Sequence, residues 1–326
     1  MGIQQMFLGV SAGGDYEVAN SLRFNQDDLA YLNRSLSSDG NRKTFTLSWW
    51  MKKGKTISNQ RIFGLSSTNQ FSVMFDGNDC LYLYGELSTS AFASTSNARF
   101  RDNSAWYHFV VSVDTTQNTN TDRLKTYVNG VDITADSYVT YPGQDTTFYW
   151  GNAAQVHYIG RYSHGSSYHM DNYLSEVHHV DGQALSASDF GETNADTGQW
   201  MPKKYSGSYG TNGFYLNFSN TSDVGEDSSG NGNDWTANNL STSAGYGNDV
   251  STDTPTPFDD GGNGAGNYCT MNPLNNGSNV TLSEGNLKTT CSNSTWTINN
   301  RSVGTIGVRT GKWYWECHIS NHQYNY

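Results

Sequence analysis

The run Leu124-Lys125-Thr126-Tyr127-Val128, then Asn129-Gly130, then Val131-Asp132-Ile133 constrains this chain more than any other stretch. Asn-Gly between two such runs predicts a two-residue type I′ turn, because both central positions need positive φ. The chain must fold back here as an antiparallel hairpin, and its neighbours carry the same kind of signal. Phe45, Leu47, Trp49 and Met51 alternate with Thr46, Ser48, Trp50 and Lys52, the period of a half-buried strand. Tyr107 to Val113 reads as a more deeply buried strand. Others are expected at 71–75, 81–84, 156–159, 173–179 and 214–218. Ser186-Ala187-Ser188-Asp189 has the form of a capping box, predicting a single helical turn with Phe190 docked on the sheet. Many short strands separated by turn signals predict an all-β sandwich, and without a fixed-period repeat a propeller or solenoid is not expected.

Composition narrows the function classes. Only 15% of the 326 residues are charged, whereas 13% are aromatic and 34 are glycine. Aromatics this dense do not suit a disordered polymer, and scarce Lys, Glu, Arg and Ala argue against long surface helices. The net charge of −11 and the absence of any basic cluster longer than Lys52-Lys53 or Lys203-Lys204 exclude nucleic acid as a partner. No apolar stretch approaches the ~20 residues that span a bilayer, so no membrane insertion is expected. Met1 to Val10 lacks the cationic start of a secretory signal, although the composition suits an external surface; release by host lysis reconciles the two. The cysteines (Cys80, Cys269, Cys291, Cys317) form no Cys-x-x-Cys pair, which excludes a zinc ribbon. They read as free thiols, with a 269–291 or 291–317 bridge as the alternative.

Several motifs, taken in order, resemble a known family. Ser21-Leu22-Arg23-Phe24, Tyr31-Leu32, and Phe45-Thr46-Leu47-Ser48-Trp49-Trp50 look like the opening of a laminin-G-like (concanavalin A-like) jelly roll. Residues 106–114, 124–130 and 171–177, with Asp181-Gly182-Gln183-Ala184-Leu185-Ser186, resemble its central and closing pieces. Gly304-Thr305-Ile306-Gly307-Val308 and Gly311-Lys312-Trp313-Tyr314-Trp315-Glu316 are similar to the first strands of a SPRY domain, which needs roughly a hundred residues to close. The expected organisation is an N-terminal attachment or assembly segment (1–19), a jelly roll (20–192), a loop-rich connecting segment (193–267) and the start of an incomplete SPRY-like β region (268–326). The whole arrangement, with the start Met1-Gly2-Ile3-Gln4-Gln5-Met6 and the 225–235 segment, is similar to structural proteins of tailed phages, especially those of marine hosts, implying a virion appendage or fibre.

This frame limits the chemistry that its side chains can carry. Retaining glycanases of the concanavalin type set carboxylates on one strand face across the scissile bond. The nearest candidates, Glu176 and Asp181, are five apart and so face opposite ways. His178 and His179 are adjacent in a strand and cannot share an ion. Asp227, Ser229 and Asn231 partly match the start of a calcium loop, but position twelve is Asn238 rather than Glu; an Asx-turn-rich surface loop explains the same residues. The favoured binding loop is 160–170, where Arg161, Tyr162, His164, Tyr168 and His169 have the composition of an adaptable paratope. An ordinary connecting loop is the competing reading, and Trp50, Tyr149 and Trp150 are lesser candidates. The expected function is a non-enzymatic virion protein, an external appendage without a cofactor (calcium being the alternative). It would pair with other virion proteins and with itself, a trimer favoured, and present a lectin-like face to host-surface glycans. A purely architectural role in capsid decoration or tail assembly, and a polysaccharide depolymerase, are the alternatives.

Overall fold

Alternation along each strand sorts side chains between two faces, and two eight-stranded antiparallel sheets result. The computed structural model describes residues 16–55, 59–67, 70–134, 137–162, 168–244, 247–256, 264–292 and 298–319. Strands are numbered in chain order. The first sheet runs β10 (Val131–Asp132), β9 (Leu124–Val128), β8 (Trp106–Asp114), β3 (Thr44–Lys53), β13 (Asn172–Asp181), β1 (Ser21–Phe24) and β18 (Val250–Ser251), with β16 (Phe214–Leu216) also on β13. The second runs β11 (Ser137–Thr140), β7 (Ala91–Arg99), β6 (Cys80–Glu86), β5 (Ser72–Phe75), β4 (Gln60–Leu65), β12 (Val156–Ile159), β2 (Tyr31–Ser35) and β17 (Thr236–Asn238). Two hairpins stand apart: β14 (Gly191–Thr193) with β15 (Trp200–Pro202), and β19 (Val280–Ser283) with β20 (Lys288–Cys291).

The β9–β10 connection has Asn129 at φ +47° and Gly130 at φ +82°, the two positive values its turn requires. Phe45, Leu47, Trp49 and Met51 all enter the core between the sheets. There Trp49 meets Phe63 edge-on at 5.1 Å and stacks on Phe109 at 5.5 Å. The sequence-predicted helical turn is a 3-10 turn, Ala187–Asp189; the Asp189 carboxylate accepts from the Ser186 amide at 2.9 Å, and Phe190 is buried after it.

Two features differ from a simple reading of the chain. Residues 193–267, expected to connect, also complete the sandwich: β16 extends β13, β17 edges β2, and β18 edges β1. Residues 304–316, expected to begin a second β domain, form no strand; Gly304 bridges Met271, and the Thr305 amide donates to the Thr270 carbonyl at 2.8 Å. Trp313, Tyr314 and Trp315 are exposed. Cys80 is buried and Cys269, Cys291 and Cys317 are exposed, and no disulfide joins them, so neither alternative bridge forms. No helix of the described residues is long and apolar enough to cross a membrane.

Candidate functional site

Each sheet has an outer face turned away from the core, and the two faces differ. That of the first sheet is sealed by later chain. His108 lies between Trp50 and Trp200, and Tyr205, Tyr209 and Phe190 pack over Val110 and Val180. Lys52, wholly buried, donates to Asp253 Oδ2 (2.8 Å), Asn267 Oδ1 (2.9 Å) and the Tyr268 carbonyl (2.5 Å). Arg23 donates to Asp249 and Glu284. These ion pairs tie Asp249, Asp253 and Glu284 to the sheet. A ligand cannot reach this face without displacing them.

The outer face of the second sheet is built differently. In β6, Leu81 and Leu83 point inward, so Tyr82 and Tyr84 point outward; they are half-buried and stack on each other at 5.2 Å. Along the ladder, Tyr84 pairs with Ser72, Ser72 with Gly64, Gly64 with Tyr158, and Tyr158 with Asn33. Two small residues therefore separate two outward tyrosines. The chain leaving β12 fills that notch. Gly160, at φ +88°, turns where a Cβ would strike the Phe24 ring, and Gly64 has no side chain to obstruct the Arg161 carbonyl or Tyr162.

Two guanidinium groups sit among these rings. Arg61 lies over Tyr84 (5.4 Å), Tyr162 (4.8 Å) and Tyr168 (5.3 Å), and Nη2 donates to the Tyr84 hydroxyl at 3.2 Å. Its Nε and Nη1 make no hydrogen bond, and among the described residues no carboxylate pairs with it. Burial lowers its pKa, with the surrounding phenols opposing that shift. The ring faces take the place of an anion. Arg161 lies over Tyr31 (4.5 Å) and Tyr158 (5.0 Å), and Tyr31 meets His169 edge-on at 5.8 Å.

The structure thus brings Arg161, Tyr162, Tyr168 and His169 to one face, while His164 lies outside the described residues. Their presentation differs from a paratope. Tyr162 is 6% and His169 3% exposed, because the Gly160 turn folds their rings onto the sheet. Tyr168 is half-buried, and the other half-open rings on this face are Tyr31, Tyr82, Tyr84 and Tyr158. Sequence reasoning passed over them, although the alternation Leu81-Tyr82-Leu83-Tyr84 carried the signal. Trp50 and Trp150 are both buried, Trp150 in the core.

The other candidates have structural roles. Asp227 accepts from the amides of Tyr215, Ser229 and Asn233 and from the Ser229 hydroxyl. Asn231 turns its amide nitrogen to the Gly210 and Gly213 carbonyls. Asp227, Ser229 and Asn231 are thereby engaged in holding a turn together, as their Asx-turn reading expects. No group of three or more His, Cys, Asp or Glu converges among the described residues. Glu176 sits in a bulge of β13 with its carboxyl bonded to Tyr16 and Tyr215, while Asp181 caps the Asn41 and Asn212 amides. The two do not face each other across a cleft. His178 and His179 do take opposite faces: His178 stacks on Tyr215, and His179 lies against Phe45 and Trp150 in the core.

No curated protein matches the sequence. Among solved structures, a heptameric SAP-like pentraxin of Limulus polyphemus is 15% identical, over 53% of this chain and 80% of that one, with a TM-score of 0.39. A candidate carbohydrate-binding protein of Bacteroides ovatus is 16% identical, over 69% of this chain and 60% of its own, at 0.49. Domains LG4-5 of the mouse laminin α1 chain are 14% identical, over 60% and 48%, at 0.38. The chain thus spans less than two thirds of the second and third of these. Residues 24–190, just over half of the chain, match the family model for the laminin-G type of this sandwich, and the chain belongs to the concanavalin A-like lectin/glucanases superfamily.

Proposed function

We propose that this chain is a non-enzymatic recognition protein of a tailed-phage virion, an external appendage or fibre that binds host-surface glycans through the outer face of its second sheet. The observation that carries the binding reading is the platform of outward tyrosines with arginines among them, on a broad face that, among the described residues, later chain does not seal. Planar phenol rings offer flat apolar area to the C–H face of a pyranose, and their hydroxyls and the guanidinium N–H groups supply donors for its oxygens. The virion setting rests on the resemblance of the start Met1-Gly2-Ile3-Gln4-Gln5-Met6 and of the 225–235 segment to tailed-phage structural proteins, together with a polar, Gly-rich composition suited to an external surface. Self-association, with a trimer favoured, would multiply weak contacts through effective concentration.

The test is binding of the full chain to immobilised host-envelope glycans, followed by calorimetry on any that bind. Tyr82→Ala with Tyr84→Ala should weaken binding by about a hundredfold, from roughly 1–2 kcal/mol per lost ring contact, with circular dichroism unchanged. Unaltered affinity in this variant would move the site elsewhere. If no glycan binds and particles lacking the protein still adsorb while losing stability, the role is architectural. Release of oligosaccharides from host capsule would instead establish a depolymerase.

A further inference from the structure

Glu176 stands at φ +50° in the bulge of β13, a left-handed conformation uncommon for a residue with its side chain. Its carboxyl group is buried and meets two phenols. The Tyr16 hydroxyl is 2.7 Å from Oε2, and the Tyr215 hydroxyl is 2.7 Å from Oε1. The two hydroxyls lie 2.6 Å from each other. Three oxygen–oxygen approaches therefore close a ring, and each requires one proton along its line.

Two phenols bring two protons. If the carboxyl is ionised, both phenols donate to it, and the hydroxyl–hydroxyl approach is left as two lone pairs facing each other. If the carboxyl keeps its proton, the acid donates to one phenol, that phenol to the other, and the second phenol back to the carbonyl oxygen. The ring is complete only in the protonated form. Tyr16 belongs to the segment preceding β1, whose next anchor is Val18, its amide donating to Thr256 Oγ1 at 2.7 Å.

We infer that Glu176, Tyr215 and Tyr16 form a proton-dependent latch, which holds residues 16–20 on the first sheet while Glu176 is protonated and frees them when the proton leaves. Among the described residues, no cation on the surrounding elements substitutes for that proton. Opposite the bulge, β3 presents Ser48, Trp49 and Trp50. His178 Nε2 is 3.9 Å from the carboxyl, with Nδ1 bonded to the Tyr209 hydroxyl, and His108 of β8 lies beyond it. Burial pushes both imidazoles down to about 3, so they stay neutral, and Tyr209 is held un-ionised, burial raising its pKa first and the Glu176 charge next. Burial also pushes Glu176 up to about 7, the two phenol donors opposing it. The latch is thus closed in mild acid and opens above neutrality.

The test is hydrogen–deuterium exchange over residues 16–20 of the full chain from pH 5.5 to 8.5. Glu176→Gln, measured at every pH, cancels the intrinsic pH dependence of exchange, because the amide supplies one donor and one acceptor as the protonated acid does. Wild type and variant should exchange alike below pH 6, and wild type about tenfold faster at pH 8, one unit above the carboxyl pKa. Equal rates throughout would overturn the latch. Carboxyl-carbon NMR of glutamate-labelled wild type needs no variant. One glutamate titrating near 7 supports the latch, and a set in which every glutamate titrates below about 5.5 removes it.

Discussion

Lowering the pH from 6.5 to 5 should strip this protein of much of its stability. Four imidazoles are enclosed by aromatic rings. His108 Nδ1 accepts the Trp200 indole N–H at 3.1 Å, and His157 Nε2 accepts the Gly151 amide at 3.0 Å, so protonating either ring nitrogen sets a donor against a donor. His178 stacks on Tyr215 with centroids 4.4 Å apart, and His179 packs on Phe45, Trp150 and Phe214. Burial holds His108, His157 and His178 to about 3 and His179 to about 4, against an ordinary value of 6.5. A depressed pKa contributes stability that is full above the unfolded value and is lost as pH falls toward the folded one. Glu176 acts in the opposite sense. Raised from 4.5 to about 7, its contribution is full in acid and is lost as pH rises through about 7. Burial raises Asp171, Asp249, Asp253 and Glu284 as well, and these act with Glu176 against the histidines. Between about pH 5 and 6 the four imidazoles and Glu176 alone give the unfolded chain about three more protons than the folded one, so the slope is at most about 4 kcal/mol per pH unit. A domain with the usual ~5–15 kcal/mol then unfolds with a midpoint between roughly pH 3 and 5. Urea titrations read by tryptophan fluorescence at pH 7, 6, 5.5 and 5 measure the slope directly. Stability that stays level or rises on acidification would refute this account of the buried histidines.

Three further outcomes follow from the packing. Asp253→Asn leaves the Lys52 ammonium buried among neutral acceptors and should cost about 3–5 kcal/mol in chemical unfolding, most of it recovered when Lys52→Met is added. Trp49→Ala, which removes the ring between Phe63 and Phe109, should cost about 3–5 kcal/mol by the same assay. Gly225→Ala sets a Cβ against the Trp235 carbonyl oxygen and should lower the melting temperature clearly; Gly247→Ala, which meets nothing within 4 Å, should stay within about 0.5 kcal/mol of wild type.

How much of this was legible beforehand depends on where each strand finds its reasons. β3, β8 and the β9–β10 hairpin carry theirs locally, in alternation and in Asn129-Gly130, and the structure places them accordingly. β17 is Thr-Ala-Asn, with no hydrophobic period, and exists because β2 offers it an edge. Lys52 occupies the polar phase of an alternating strand and so reads as solvent-facing. Its partner Asp253 lies 201 residues further on, beyond the reach of any local pattern. The candidate site divides in the same way. Composition located the 160–170 loop, but the direction of its rings was set by two glycines that only the fold brings together, Gly64 and Gly160. The outward tyrosines of β6 were readable, and were overlooked because aromatics in strands are usually core.

The pairing of β1 with β18, and of β2 with β17, has a consequence for how this protein is made. β1 and β2 are bordered by strands synthesised more than 200 residues later, Ser21 opposite Ser251 and Asn33 opposite Thr236. Until then a nascent chain carries open backbone edges and an uncovered outer face on β13, the condition that invites pairing between chains. Synthesis slowed before residue 251 would favour aggregation, and chaperone capture should be strongest in that window. Expression stopped at residue 192, where the jelly-roll motifs end, would fix the protein permanently in that vulnerable intermediate.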